Sequence, residues 1–136
     1  MSNPHLLFHH FGLAVTQPHQ AKAFVSAQNY RMGETVFDLE QNVFSILCVH
    51  ETEPAIEILW PGGTKGPIDD LTRRNPSGII YHICYETGNL AGALASLEED
   101  GNHVICIAAP KTAPLFGNRE VSFYNLIGIG LIEILS

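Results

Sequence analysis

Apolar and polar positions along the chain run through one cycle twice. Residues 8–15 (Phe-His-His-Phe-Gly-Leu-Ala-Val) and 79–86 (Ile-Ile-Tyr-His-Ile-Cys-Tyr-Glu) are extended, aromatic-rich runs with a central histidine. Each precedes a stretch of helical periodicity. From Pro18, which suits a first helical turn, Ala21, Phe24 and Val25 recur at helical spacing. Over 89–100, Leu90, Ala93, Leu94 and Leu97 share one face. There Asn89 is suited to cap the start and Gly101 to end the helix in a left-handed conformation. Three strand candidates follow each helix: 30–38, 42–50 and 54–60, then 102–109, 118–125 and 129–135. The halves close on matching runs, Ala55-Ile56-Glu57-Ile58-Leu59 and Leu131-Ile132-Glu133-Ile134-Leu135.

This pattern predicts an α+β fold built from a βαβββ unit used twice within one 136-residue domain. Module one covers about 7–60, a Gly- and Pro-rich connector 61–77, and module two 78–136. Inside the connector, 67–74 reads as a short solvated helix, with acids in its first turn and arginines in its last, as the helix dipole prefers. The central histidines lie 72 residues apart (10 to 82) and the closing glutamates 76 apart (57 to 133). One loop insertion accounts for the difference.

Apolar residues at 46% supply a core, which excludes a wholly disordered chain. Seven Lys and Arg against fourteen Asp and Glu leave a net charge of −7. Nonspecific binding to nucleic acid requires a basic footprint, and an acidic surface does not dock on an anionic membrane, so neither partner is expected. No apolar run approaches the roughly 18 to 20 residues of a spanning helix. The segment Met1-Ser2-Asn3-Pro4-His5 shows no export signal. Cys48, Cys84 and Cys106 are odd in number and sit in apolar runs, which reads as reduced thiols in the cytoplasm.

Four side chains sit where a core does not want them. Alternation along a strand puts Glu57 on one face with Ala55 and Leu59, and Glu133 with Leu131 and Leu135. A buried carboxylate is costly unless it is paired or bound to a metal. His10 shares its face with Gly12 and Ala14, and His82 with Cys84. Two imidazoles and two carboxylates could converge on one divalent ion of the Zn, Ni, Co, Mn or Fe type. A register slip of one residue would exchange His9 for His10, so periodicity leaves both open. His5, His19, His50 and His103 read as surface residues.

At these residues the chain resembles the vicinal oxygen chelate superfamily, which includes glyoxalase I, methylmalonyl-CoA epimerase, extradiol dioxygenases and bleomycin-resistance proteins. The resemblance runs from His10 to Leu135. It rests on His10-Phe11-Gly12-Leu13-Ala14-Val15, Ile56-Glu57-Ile58-Leu59, Tyr81-His82-Ile83-Cys84-Tyr85-Glu86 and Leu131-Ile132-Glu133-Ile134-Leu135. It implies two βαβββ modules curled into a cup-shaped mixed sheet with helices outside, and His10, Glu57, His82 and Glu133 as ligands of one divalent metal. Within the superfamily the chain looks most like the methylmalonyl-CoA-epimerase-like members. Leu39-Glu40-Gln41-Asn42-Val43 resembles the segment that carries a second acid–base glutamate there, which makes Glu133 and Glu40 the implied catalytic pair.

The activity so implied is an isomerase or epimerase that moves a proton next to a carbonyl through a metal-stabilised enolate. Its substrate would be a small molecule such as an acyl-CoA or another thioester, and a homodimer is the expected assembly. Three alternatives remain. A glyoxalase-I-like lyase acting on a thiohemiacetal uses the same proton chemistry and fits a glutamate at position 57 better, since epimerases often carry a neutral glutamine there. An Fe(II) extradiol-type dioxygenase would use His10, His82 and Glu133 and leave Glu57 surplus. A metal-free binder of small ligands would use none of these groups as ligands. For the phosphates of a coenzyme A carrier the candidate cations are Arg73, Arg74 and Lys111.

Overall fold

The structure is a computed structural model that describes residues 5–136. Met1, Ser2, Asn3 and Pro4, most of the segment read for an export signal, lie outside the described residues. In chain order the elements are β1 (Leu7–Ala14), α1 (His19–Ala27), β2 (Arg31–Met32), β3 (Val36–Asp38), β4 (Val43–Val49), β5 (Ala55–Pro61), α2 (Asp69–Arg74), β6 (Ile79–Glu86), α3 (Leu90–Glu99), β7 (Val104–Thr112), β8 (Glu120–Leu126) and β9 (Gly130–Leu135). A 3-10 turn at Pro114–Phe116 joins β7 to β8. The order is α+β, and each helix is followed by its strands as the periodicity predicts.

The chain divides into two compact units, one of residues 10–81 and one of 82–136 together with the N-terminal run up to His9. The divisions fall inside β1 and β6. In the first unit the strands lie in the order β2-β4-β5-β1, with β3 also beside β4. Only the β1–β5 pairing is parallel. In the second the order is β6-β9-β8-β7, with β6 and β9 parallel.

Each unit buries one sheet face under its own long helix. In the first, Val25 of α1 packs with Ile46, Cys48 and Ile58, and Ala21 adds to the cluster. In the second, Leu90, Leu94 and Leu97 of α3 cover Tyr124, Leu126, Ile132 and Ile134. The helix ends follow their local chemistry. The Gly92 N–H donates to Asn89 Oδ1 at 3.0 Å, and Gly101 takes φ +94°, where a side chain would be strained. Helix α1 begins one residue after Pro18, which flanks it and does not enter its first turn. On α2, the guanidinium of Arg73 beside Asp70 holds that carboxyl below its usual range.

The single strand expected over 30–38 is two. Arg31 and Met32 pair with Val49 and Cys48, and the Gly33 N–H reaches Leu47 O at 2.9 Å. Val36 then pairs with Ser45, so Glu34 and Thr35 together stand against Ile46 alone. One extra residue on the edge breaks the ladder, as in a β-bulge.

Cys48 and Cys84 are fully buried, and Cys106 is exposed on β7. Burial pushes the Cys48 thiol up to about 11, which leaves little thiolate at neutral pH. An aromatic disulfide reagent at pH 7.5 is therefore expected to titrate one thiol quickly in the native protein and all three after denaturation. Fast titration of two or three thiols in the native protein would contradict this packing.

Candidate metal centre

Backbone register decides which side chains meet. Parallel pairing sets Gly12 opposite Glu57 in the first unit and Cys84 opposite Glu133 in the second. Paired residues project to one side of a sheet, as do alternate residues of one strand. His10, two residues before Gly12, therefore shares the Glu57 face, and His82, two before Cys84, shares the Glu133 face. The repeat inferred from sequence is thus kept at the level of single hydrogen-bonded pairs. Both glutamate faces lie opposite the long helix of their own unit, because Ile56, Ile58, Ile132 and Ile134 take the helix side.

Within each unit the two side chains come together. His10 Nε2 lies 3.0 Å from Glu57 Oε1, and His82 Nε2 lies 3.3 Å from Glu133 Oε1. All four are buried, with no more than 5% of any residue exposed. Leu47 on β4 stands beside Glu57, and Phe123 on β8 beside Glu133, its ring edge-on to His82 at 5.9 Å. One end of each glutamate face is closed by an inserted segment. Ile68 from the connector packs on Val43 and Leu59, with Tyr81 against them. In the second unit Ala113 packs on Val121, Leu135 and Cys84, with Phe116 against them.

The two adjacent histidines make different contacts. His9 is engaged elsewhere, with Nε2 3.6 Å from Glu86 Oε2 and its ring edge-on to Phe116 at 5.5 Å. Arg119 extends that cluster, 3.8 Å from the second Glu86 oxygen. Glu40 lies in the exposed turn between β3 and β4, beyond the closed end of its face and apart from the pair in sequence and burial. His19 and His103 are exposed as expected. His50 does more than sit on the surface: its Nδ1 accepts from the Thr52 and Glu53 N–H groups at 3.0 Å each and fixes the turn into β5. Arg73 is engaged by Asp70, and Lys111 stands across from Val121 on β7. Alternation alone could not have found Phe123 or Leu47, because an apolar residue beside a ligand looks like any core residue.

Chemically, each pair offers one imidazole nitrogen and one carboxylate oxygen at a common point. Donors about 2.0–2.2 Å from a divalent ion of the zinc type lie on the order of 3 Å from each other, so both pairs fit neighbouring ligand positions. A set of two nitrogens and two oxygens suits first-row divalent ions.

A profile of the Glyoxalase/Bleomycin resistance protein/Dioxygenase superfamily matches residues 9–123. The chain belongs to that superfamily. It is 41% identical over 56 residues to the ethylmalonyl-CoA/methylmalonyl-CoA epimerase of Cereibacter sphaeroides, covering 41% of this chain and 42% of the relative. To the mitochondrial methylmalonyl-CoA epimerase of Bos taurus it is 30% identical over 91 residues, covering 66% of this chain and 51% of the relative. The matches thus span about half or less of the curated relatives' own length. Among solved structures, methylmalonyl-CoA epimerase from Mycobacterium tuberculosis superposes with a TM-score of 0.77 over 99% of this chain and 91% of that one, at 15% identity. Streptomyces coelicolor methylmalonyl-CoA epimerase in complex with 2-nitronate-propionyl-CoA gives 0.72 over 96% of each chain, at 18% identity. These likenesses establish the fold that the doubled pattern predicts.

The pairing has a consequence for stability without metal. His10→Ala leaves the Glu57 carboxylate buried and without its imidazole, a loss of about 3–5 kcal/mol. Glu57→Gln keeps a hydrogen-bonding group of the same shape and is expected to change stability by less than about 1 kcal/mol. Urea unfolding in the presence of a chelator measures both. Equal losses for the two variants would mean that the pair does not behave as a buried charged contact.

Proposed function

We propose that this protein is an epimerase-like isomerase of its superfamily, in which His10, Glu57, His82 and Glu133 hold one divalent ion. A buried His–Glu pair at the same register position in both modules carries this reading. Neither pair is explained by packing, since an apolar residue at each position would spare the cost of desolvating a carboxylate. The family assignment and the similarity to methylmalonyl-CoA epimerases support it further.

When bound, a divalent ion would act as a Lewis acid toward a carbonyl oxygen and make an adjacent C–H more acidic. The chain's own groups move the proton. Glu133 is the base that removes it from the carbon next to the carbonyl, while Phe123 and Leu135 limit water on its side. Glu40 is the candidate for returning a proton on the opposite face. Its turn must fold toward the substrate for it to do so. The substrate class is a thioester such as an acyl-CoA. A homodimer in the cytoplasm is the expected setting. Among the described residues no helix is long and apolar enough to cross a membrane.

A glyoxalase-I-like lyase is the second reading, favoured by the carboxylate at position 57. It shares the proton transfer and differs in substrate, so a panel of acyl-CoA esters and thiohemiacetals separates the two.

Gently purified protein is expected to carry about one divalent ion per chain by elemental analysis, removable by chelation with loss of activity. Protein that holds no metal and takes up none on addition would overturn the reading. Glu133→Gln should lower solvent-deuterium exchange at the substrate carbon by about 10²–10⁴-fold while the fold persists, and full exchange would exclude it as the base. For Glu40→Gln the expected result is impaired isomerisation with unchanged metal content; equal loss of both would make Glu40 structural.

A further inference from the structure

We infer that Arg31 binds an anionic group of the substrate, a carboxylate or a phosphate, at the open end of the Glu57 face. This rests on the reading above and adds the feature of the substrate that the first module recognises.

Register carries the argument. Glu57 pairs with Leu47 on β4, and Arg31 on β2 pairs with Val49, two residues further along the same strand. Leu47 and Val49 alternate onto one side of the sheet, and cross-strand partners share that side. Arg31 therefore projects to the side that carries His10 and Glu57. Two strand spacings and two residues of rise put the Arg31 and Glu57 backbones roughly 12 Å apart. A guanidinium leaning inward from that distance meets a small molecule held at Glu57.

The two ends of this face are unlike. Ile68 closes the end at Val43 and Leu59, whereas Leu47, Val49 and Ala55 towards the other end are only half-buried, so a ligand would reach Glu57 from the end where Val49 and Arg31 lie. Arg31 is exposed there, and no ion pair with it is found among the described residues. Of the three cations that sequence suggested, Arg73 is already committed to Asp70.

A charged residue on an edge strand often serves only to prevent sheet-to-sheet association. The second unit argues against that explanation. Its terminal strand β7 leaves Ile105 and Ile107 41% and 58% exposed and carries no charge until Lys111. By the repeat, Ile105 pairs with Asn125 as Arg31 pairs with Val49. At the equivalent position of its other edge this chain carries no charge, which favours a specific ligand for Arg31 over a general guarding role. Guanidinium is the side chain best matched to the two oxygens of a carboxylate or phosphate.

Calorimetric titration of metal-loaded wild type, Arg31→Gln and Arg31→Lys tests the inference with three probes. Methylmalonyl-CoA carries both a carboxylate and phosphates. Methylmalonyl-N-acetylcysteamine keeps the carboxylate alone, and propionyl-CoA keeps the phosphates alone. Arg31→Gln is expected to weaken methylmalonyl-CoA by about tenfold or more, with Arg31→Lys recovering part of the loss. Weakening that extends to the N-acetylcysteamine ester assigns Arg31 to the carboxylate, and weakening that extends to propionyl-CoA assigns it to the phosphates. Equal affinities of wild type and Arg31→Gln for all three probes, or no binding of any to the wild type, overturns the inference. Deuterium exchange by the wild type is read separately, so a failed reaction assignment and a failed Arg31 assignment give different results. Thermal melting checks that the exposed substitution leaves the fold intact.

Discussion

A glutamate buried beside a histidine is the constraint around which each half of this protein is arranged. Desolvating a carboxylate is costly, and an imidazole about 3 Å away offsets only part of that cost. The surrounding design holds the two groups in place. A parallel strand pair sets the register, an antiparallel neighbour supplies an apolar flank in Leu47 or Phe123, and the long helix is kept to the other face. Were either parallel pairing to slip by one residue, the glutamate would turn into the helix core and an isoleucine would replace it. The hydrophobic alternation around Glu57 and Glu133 thus protects the pair as much as it builds the core.

The two halves solve the same problem with different parts. Gly12 stands opposite Glu57, whereas Cys84 stands opposite Glu133. The face of the first half is closed by a residue from the connector, and that of the second by the loop carrying the 3-10 turn. Strand register is shared between the halves and loop content is not. That is the expected outcome when the chemistry depends on backbone pairing and substrate choice depends on connections.

Much of this was legible in the sequence, and the reasons are specific. His10, Glu57, His82 and Glu133 stood out because polar groups interrupt apolar runs at repeated positions. The caps of α3 were readable because Asn89 and Gly101 act locally. The choice between His9 and His10 was not readable, since it depends on a register fixed by hydrogen bonds between strands far apart in sequence. The break of the 30–38 strand was hidden as well. No residue type there forbids continuous pairing, and only the partner strand reveals the extra residue. Glu40 was reached through resemblance alone, and its place in an exposed turn explains why periodicity carried no trace of it.

That extra residue has a consequence for how such a fold changes. Arg31 and Val36 occupy positions of opposite parity, yet both pair with residues on the Glu57 side of β4, because Glu34 and Thr35 share one partner position between them. Loss of a single residue at 34 or 35 would remove the bulge and restore an unbroken ladder with both pairings kept, so Arg31 would still face the Glu57 side. The bulge therefore gives this edge one residue of slack, and its length can shorten by one without changing which side chains of β2 and β3 stand over Glu57.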